Sequence, residues 1–136
     1  MKELLIIAGS KSDEPFVEQG LKLCKEFGIE YEFKVYSAHR NLDALLEYLE
    51  AVEKNGKTKV IIAVAGLAAA LPGVIAAKVK IPVIGVPCEC GPLKGVDALI
   101  SMVQMPKGVP VAVMAIGNAG MQNAVHFAKR ILEVTC

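Results

Sequence analysis

The sequence has no tryptophan and few aromatic residues, and it carries almost no net charge. Its 15 basic and 14 acidic side chains nearly cancel, so no strongly charged surface is expected for a nucleic acid or an anionic membrane. The four cysteines, at positions 24, 88, 90 and 136, show no regular spacing, and the chain is not small and loop-rich. We therefore interpret them as reduced thiols of a cytoplasmic protein.

Aliphatic residues dominate instead, since hydrophobic residues fill 54% of the 136 positions. Most are Ala, Val, Ile and Leu, a composition typical of buried parallel strands that helices cover. The length suits one domain over residues 1–136. Because the chain is so apolar and nearly neutral, we expect it to bury further surface as a homo-oligomer.

Two apolar stretches invite a different interpretation. Residues 1–8 resemble a signal peptide only superficially, because the apolar part is short and leads into a polar turn. Residues 60–77 carry no charge and reach the length of a membrane span. Gly66, Pro72 and Gly73 divide this stretch, however, so we predict a strand, a loop and a helix within a buried core.

Hydrophobic periodicity predicts strands and helices that alternate from end to end. Asp13 is the expected N-cap of the first helix, Gly28 ends it, and Asn55-Gly56 ends the second. Repeated βα units imply a doubly wound, parallel five-stranded sheet with right-handed crossovers. The predicted strands lie at 4–8, 31–36, 60–64 and 82–86, with a fifth inside 109–116, and the helices at 14–27, from 42, 71–79, 96–103 and 119–134.

Loops after parallel strands gather at one edge of a sheet, where ligands bind. The loop Gly9-Ser-Lys-Ser-Asp13 can present N–H groups and hydroxyls to an anion, or it can merely cap a helix. It is neither a Walker loop nor a dinucleotide fingerprint. The other loops expected at this edge are 37–40, 65–70, 88–93 and 117–122.

His39 and Arg40 follow the second strand and are either a solvated pair or a functional one. Arginine can bind a phosphate through two hydrogen bonds, and histidine moves protons near neutral pH. His126 lies within the last helix and is interpreted as a packing or surface residue. Residues 65–73 are mostly alanine and glycine, which suits close approach to a ligand or tight packing. No histidine or second cysteine pair completes a metal set around Cys88-Glu89-Cys90, so we predict no metal.

Together these segments resemble the PurE-type carboxyaminoimidazole ribonucleotide mutases of purine biosynthesis. The resemblance covers nearly the whole chain, and Ser-Ala-His-Arg followed later by Val-Gln-Met-Pro is highly specific. The matching segments are 9–13, 37–40, 65–73, 82–87, 93–99, 101–106, 108–111 and 115–120.

The resemblance implies a Rossmann-like, flavodoxin-like α/β/α subunit that assembles into an octamer. Such enzymes move a carboxylate from the exocyclic amine of an aminoimidazole ribonucleotide to a ring carbon, without metal, ATP or organic cofactor. Decarboxylation is followed by recapture of the retained carbon dioxide. Carried over by position, His39 is the general acid/base and Asp13 binds the ribose. Ser10, Ser12, Ser37 and Arg40 hold the phosphate, Ala38 also contacts the substrate, and Ala65, Gly66, Ala68 and Leu71 enclose the base and carbon dioxide.

Three departures from the family pattern bear on the reaction. Ala70 stands where the family has a second histidine, Asn41-Leu42 replaces Thr-Pro, and the sequence ends at Cys136, where most members continue into a C-terminal helix. Two alternatives to the mutase therefore stay open. One is a divergent paralogue that carboxylates or decarboxylates a related ribotide, and the other is a ribonucleotide-binding module without catalysis. Retention of His39 argues against the binding module, which needs no proton shuttle.

Overall fold

The computed structural model describes residues 1–134, in which five strands alternate with five helices. The strands are β1 (Leu4–Ala8), β2 (Tyr31–Val35), β3 (Val60–Ala65), β4 (Val83–Pro87) and β5 (Ala112–Val113). The helices are α1 (Glu14–Glu26), α2 (Leu42–Asn55), α3 (Leu71–Lys78), α4 (Val96–Val103) and α5 (Asn118–Glu133), and a 3-10 turn, Lys11–Asp13, precedes α1. The predicted alternation is confirmed, with small shifts at the boundaries. Cys136 lies outside the described residues.

One parallel sheet joins all the strands, in the order β2-β1-β3-β4-β5. Strand β1 lies near its centre, where Ile6 is opposite Phe33 of β2 and Ile62 of β3. This order is that of flavodoxin-like folds, whose ligand site lies where β1 and β3 diverge. The predicted fold class, a three-layer α/β/α arrangement on a parallel five-stranded sheet, is confirmed.

The two faces of the sheet bury alternate residues of each strand. On β1, Leu4 and Ile6 pack with α1 and α5, whereas Leu5 and Ile7 pack with α2, α3 and α4. Every position of β1, β3 and β4 is buried, which explains why these strands are apolar throughout instead of alternating. Residues 60–77 form β3, a loop and most of α3, and no helix within residues 1–134 is long and apolar enough to cross a membrane.

Three helix ends lie at the residues predicted from the sequence, although one of them lacks a capping hydrogen bond from its side chain. Gly28 and Gly56 follow α1 and α2 with φ values of +67° and +75°, which glycine adopts without strain. Asp13 occupies the N-cap position of α1, as predicted, but its side chain makes no capping hydrogen bond. Ser10 caps the preceding 3-10 turn instead, and that extra turn leaves Asp13 in a helical conformation, with φ −82° and ψ −12°.

Gly120, in the first turn of α5, packs against the backbone carbonyl of Ala115. A Cβ at this position would overlap that carbonyl, which cannot rotate away as a side chain can. We expect Gly120→Ala to lower the free energy of unfolding by about 1 to 2 kcal/mol, as measured by urea denaturation. Gly20→Ala is the matched control, because its Cβ would overlap the flexible end of Met121 and would meet Met121 Cγ and Val125 Cγ2 at 3.4 Å, with no backbone atom in the way. Equal effects of the two substitutions would contradict the backbone clash.

Candidate active site

The loops after β1, β2 and β3 meet at the carboxyl edge of the sheet and enclose a cleft of about 490 Å³. Glycine, alanine and serine make up much of its surface, so backbone atoms and short side chains form most of the walls. The cleft is lined by Gly9, Ser10, Ser12, Asp13, Ser37, Ala38, His39, Arg40, Ala65, Gly66, Leu67, Ala68, Ala69, Ala70, Leu71 and Cys90.

The first wall of the cleft is the serine loop that follows β1. Gly9 extends the sheet by one residue, since its N–H donates to the carbonyl of Val64 at 3.0 Å. Ser10 Oγ then accepts from the Ser12 N–H at 3.2 Å and lies 2.9 Å from Ser12 Oγ. The two exposed hydroxyls are thus held side by side at the start of a helical turn, where neighbouring N–H groups favour an anion.

The second wall is the turn after β2, which is fixed by its own polar groups. Ser37 Oγ accepts from the backbone N–H of Arg40 at 3.1 Å. Asn41 closes the turn from the other side, because its side-chain oxygen accepts from the Ser37 N–H at 3.3 Å. His39 and Arg40 are both exposed at the cleft. The side chains of Ser37 and Asn41 therefore hold the turn through backbone N–H groups. The imidazole of His39 and the guanidinium of Arg40 take no part in these hydrogen bonds and are available to a ligand.

Asp13 contributes the carboxylate of the cleft. Burial raises its pKa, whereas hydrogen bonds from the Cys88 thiol and the Ser10 backbone act in the opposite direction. Cys88 Sγ lies 3.7 Å from Asp13 Oδ1, and burial together with the nearby carboxylate raises the pKa of this thiol. At neutral pH the thiol is thus protonated and can donate to the carboxylate.

The third wall is the chain of small residues between β3 and α3. Leu67 adopts a φ of +56°, an uncommon conformation for a leucine, and its side chain is exposed. A Cβ at Gly66 would collide with Cys90 Sγ, so a glycine is needed where the loops after β3 and β4 touch. Ala70 immediately precedes α3 and lines the same cleft.

All eleven residues predicted from the sequence as a site line this one cleft. Gly9, Leu67, Ala69 and Cys90 also line the cleft, although the sequence pattern assigned them no contact with a ligand. Cys90 had a usable signal, since it lies in the loop 88–93 that the sequence places at the ligand-binding edge, but the cysteine itself was weighed only as a metal ligand. The segment 117–122, also expected at this edge, contributes no lining residue, and from Asn118 onward it belongs to α5. Within residues 1–134, no group of three His, Cys, Asp or Glu side chains is arranged to hold a metal ion.

His126 lies away from this cleft, on the exposed surface of α5, as expected for a packing or surface residue. Its ring makes an edge contact with Phe27, with 5.1 Å between the ring centres. Cys24, Cys88 and Cys90 are free thiols, as predicted for the cysteines that fall in the described part of the chain.

Comparison with known proteins identifies the family. The model of the AIR carboxylase family matches residues 3–136. This chain belongs to that family. It is 49% identical over 130 residues to the N5-carboxyaminoimidazole ribonucleotide mutase of Haemophilus influenzae, covering 96% of this chain and 79% of that protein.

A second relative of this AIR carboxylase family member is the N5-carboxyaminoimidazole ribonucleotide mutase of Saccharolobus solfataricus. The two are 47% identical over 134 residues, which cover 98% of this chain and 83% of the relative. Among solved structures, Treponema denticola PurE matches with a TM-score of 0.85 and 31% identity, covering 95% of this chain and 78% of that one. The recognition made from the sequence motifs is confirmed.

Proposed function

We propose that this AIR carboxylase family member is an N5-carboxyaminoimidazole ribonucleotide mutase of purine biosynthesis. One observation carries the proposal: the residues carried over from the family motifs line a single cleft, in a chain about half identical to proteins of that name. The cleft offers hydroxyls and a guanidinium for a phosphate, a carboxylate for ribose hydroxyls, one imidazole, and a wall of small residues.

The two polar loops bind the ribose phosphate in this proposal. Ser10 and Ser12 face the phosphate from the loop after β1, and Ser37 and Arg40 approach it from the loop after β2. Arginine supplies charge-assisted hydrogen bonds, and the paired hydroxyls supply neutral ones. Asp13 accepts hydrogen bonds from the ribose hydroxyls, and Ala38 contacts the substrate beside them.

His39 carries the proton through the reaction. The bond between the exocyclic nitrogen and the carboxyl carbon breaks, carbon dioxide is released, and the nitrogen takes a proton from His39. The ring carbon, which the amino group makes nucleophilic, then forms a bond to the carbon dioxide and loses its own proton to His39. Protons and charge balance over the two steps, so the net reaction is an isomerisation that needs no further reactant.

Retaining carbon dioxide between the steps is the other requirement. The proposal gives that role to Ala65, Gly66, Ala68 and Leu71, whose small or apolar groups exclude water and keep the gas next to the ring carbon. An escaped carbon dioxide molecule would turn the isomerisation into a net decarboxylation. The balance between these outcomes therefore depends on this wall.

The experiment that tests the function uses the N5-carboxylated ribonucleotide with an isotopic label in its carboxylate. A mutase forms the ring-carboxylated isomer, and release of labelled bicarbonate without that isomer would favour a decarboxylase. Consumption of neither isomer, together with tight ribonucleotide binding, would favour the non-catalytic module.

Label retention also tests Ala70, which presents a methyl group where the family has an imidazole. Because one polar contact is missing, we expect more label to exchange with bicarbonate in the native protein than in Ala70→His. Ala70→Leu is the control, since it fills space without adding a polar group. Its label retention should therefore stay below that of Ala70→His. Complete retention by the native protein would contradict this prediction.

We also propose a cytoplasmic homo-oligomer, the octamer implied by the family resemblance. An exposed apolar face on α4 supports self-association: Val96, Ile100 and Val103 are 50%, 54% and 53% exposed and lie on one side of the helix. Leu93, 59% exposed, continues this face in the preceding turn. Light scattering of the purified protein measures the size of the assembly.

A further inference from the structure

A buried thiol lies behind the carboxylate of the cleft. Cys88 directly follows β4 and is only 5% exposed, and its Sγ lies 3.7 Å from Asp13 Oδ1. Asp13 belongs to the loop after β1, and β3 separates β1 from β4 in the sheet. The contact thus links two loops whose strands are not neighbours.

The Asp13 carboxylate has two hydrogen-bond partners, the Cys88 thiol and the Ser10 backbone, and neither belongs to α1. An aspartate at an N-cap ordinarily fixes its carboxylate on the N–H groups of the first helical turn. Asp13 makes no such side-chain hydrogen bond to α1. Among side chains of the described residues, the one hydrogen-bonded to its carboxylate is Cys88.

Cys88 itself is held by rigid surroundings. Its N–H donates to the carbonyl of Ala65 at 2.9 Å, and its carbonyl accepts from the Cys90 N–H at 3.1 Å. Two glycines pack closely against Cys88. A Cβ added at Gly95 would lie 2.9 Å from the Cys88 carbonyl oxygen, and one added at Gly66 would lie 3.4 Å from the Cys88 Cβ. Because the backbone of Cys88 is fixed in this way, its thiol has a defined position and can orient the carboxylate that accepts from it.

We propose that Cys88 is a positioning residue that acts through Asp13, its thiol holding the carboxylate in the orientation from which it binds the ribose. This inference rests on the ribose-binding role of Asp13 in the proposed function. The thiol is behind the carboxylate and takes no part in proton transfer. Its contribution is therefore to ribonucleotide affinity and not to the chemical step.

Two substitutions separate the donor from the volume of the side chain. Cys88→Val removes the donor and adds about one methyl group of volume, whereas Cys88→Ser keeps a donor in a slightly smaller side chain. We expect Cys88→Val to weaken binding of aminoimidazole ribonucleotide by about three- to tenfold in calorimetry, the range for one modest hydrogen bond. Binding should be tighter in Cys88→Ser than in Cys88→Val. The kcat at saturating substrate and the affinity for inorganic phosphate should stay unchanged.

A double-mutant cycle with Asp13→Ala decides whether the thiol acts through the carboxylate. We expect Cys88→Val to cause no further loss of ribonucleotide affinity once Asp13 is alanine. The same loss in both backgrounds would mean that the thiol acts by packing, and the positioning role would be wrong. If Asp13→Ala weakens binding and Cys88→Val does not, the ribose contact stands and the positioning role is wrong. If neither weakens it, both proposals are wrong.

Discussion

Replacing His39 with asparagine is expected to lower kcat for the isomerisation by about a hundredfold or more, the usual contribution of a general acid/base. Asparagine keeps a polar side chain of similar reach at the cleft, but it cannot take up and return a proton. Ribonucleotide affinity should change little, because phosphate and ribose are bound by other residues. Steady-state kinetics with the N5-carboxylated ribonucleotide, together with calorimetry on the uncarboxylated one, measure the two quantities separately.

The chain supplies its own control for this experiment. His126 is the other histidine, and it lies on the exposed surface of α5 against Phe27. His126→Asn removes the same chemical group away from the cleft and should leave kcat unchanged. Near-native turnover in His39→Asn would exclude this imidazole from the mechanism, and equal losses in both variants would indicate a general effect on folding.

Arg40→Ala is expected to weaken ribonucleotide binding by about thirtyfold or more, since it removes charge-assisted hydrogen bonds to the phosphate. The turn itself should persist, because Ser37 Oγ accepts from the backbone N–H of residue 40 and not from its side chain. Calorimetric titration with aminoimidazole ribonucleotide and with the corresponding nucleoside shows whether the lost affinity belongs to the phosphate. The nucleoside, which lacks the phosphate, should bind the variant and the native protein equally.

Arg130, the second arginine of the chain, is the matched control. It lies in the last turn of α5 and does not line the cleft. Arg130→Ala removes the same charge, so it reproduces any effect of net charge on a phosphate ligand. Unchanged affinity in Arg40→Ala would mean that the anion site lies elsewhere.

The sequence predicts the site well because its parts follow from strand positions. Ser10 and Ser37 come two residues after the ends of β1 and β2, and parallel strands bring those ends to one edge of the sheet. The cap of α1 was harder to predict. Asp13 takes the N-cap position of α1, but the side-chain capping hydrogen bond is made by Ser10 on a 3-10 turn that the sequence pattern does not indicate.

Contacts between distant loops leave no pattern in the sequence. The pairing of Cys88 with Asp13 joins positions 75 residues apart, and the spacing of Cys88 and Cys90 favours no particular partner. Leu67 likewise adopts a positive φ that the run of small residues around it does not indicate. Strand β5 is also shorter than the apolar segment 109–116 allows, and Pro110 within that segment has no N–H to pair with β4.

The strand order has a consequence for how this enzyme family can change its chemistry. From β1 the chain crosses the sheet on the α1 side, whereas from β2 it crosses on the α2 side to reach β3. The opening between the loops is therefore created by the path of the backbone and does not depend on bulky side chains to prop it apart. A residue such as Ala70 can lose or gain an imidazole while the opening persists. The fold thus separates the existence of a binding site from the reactivity inside it, which leaves the reactivity free to diverge by single substitutions.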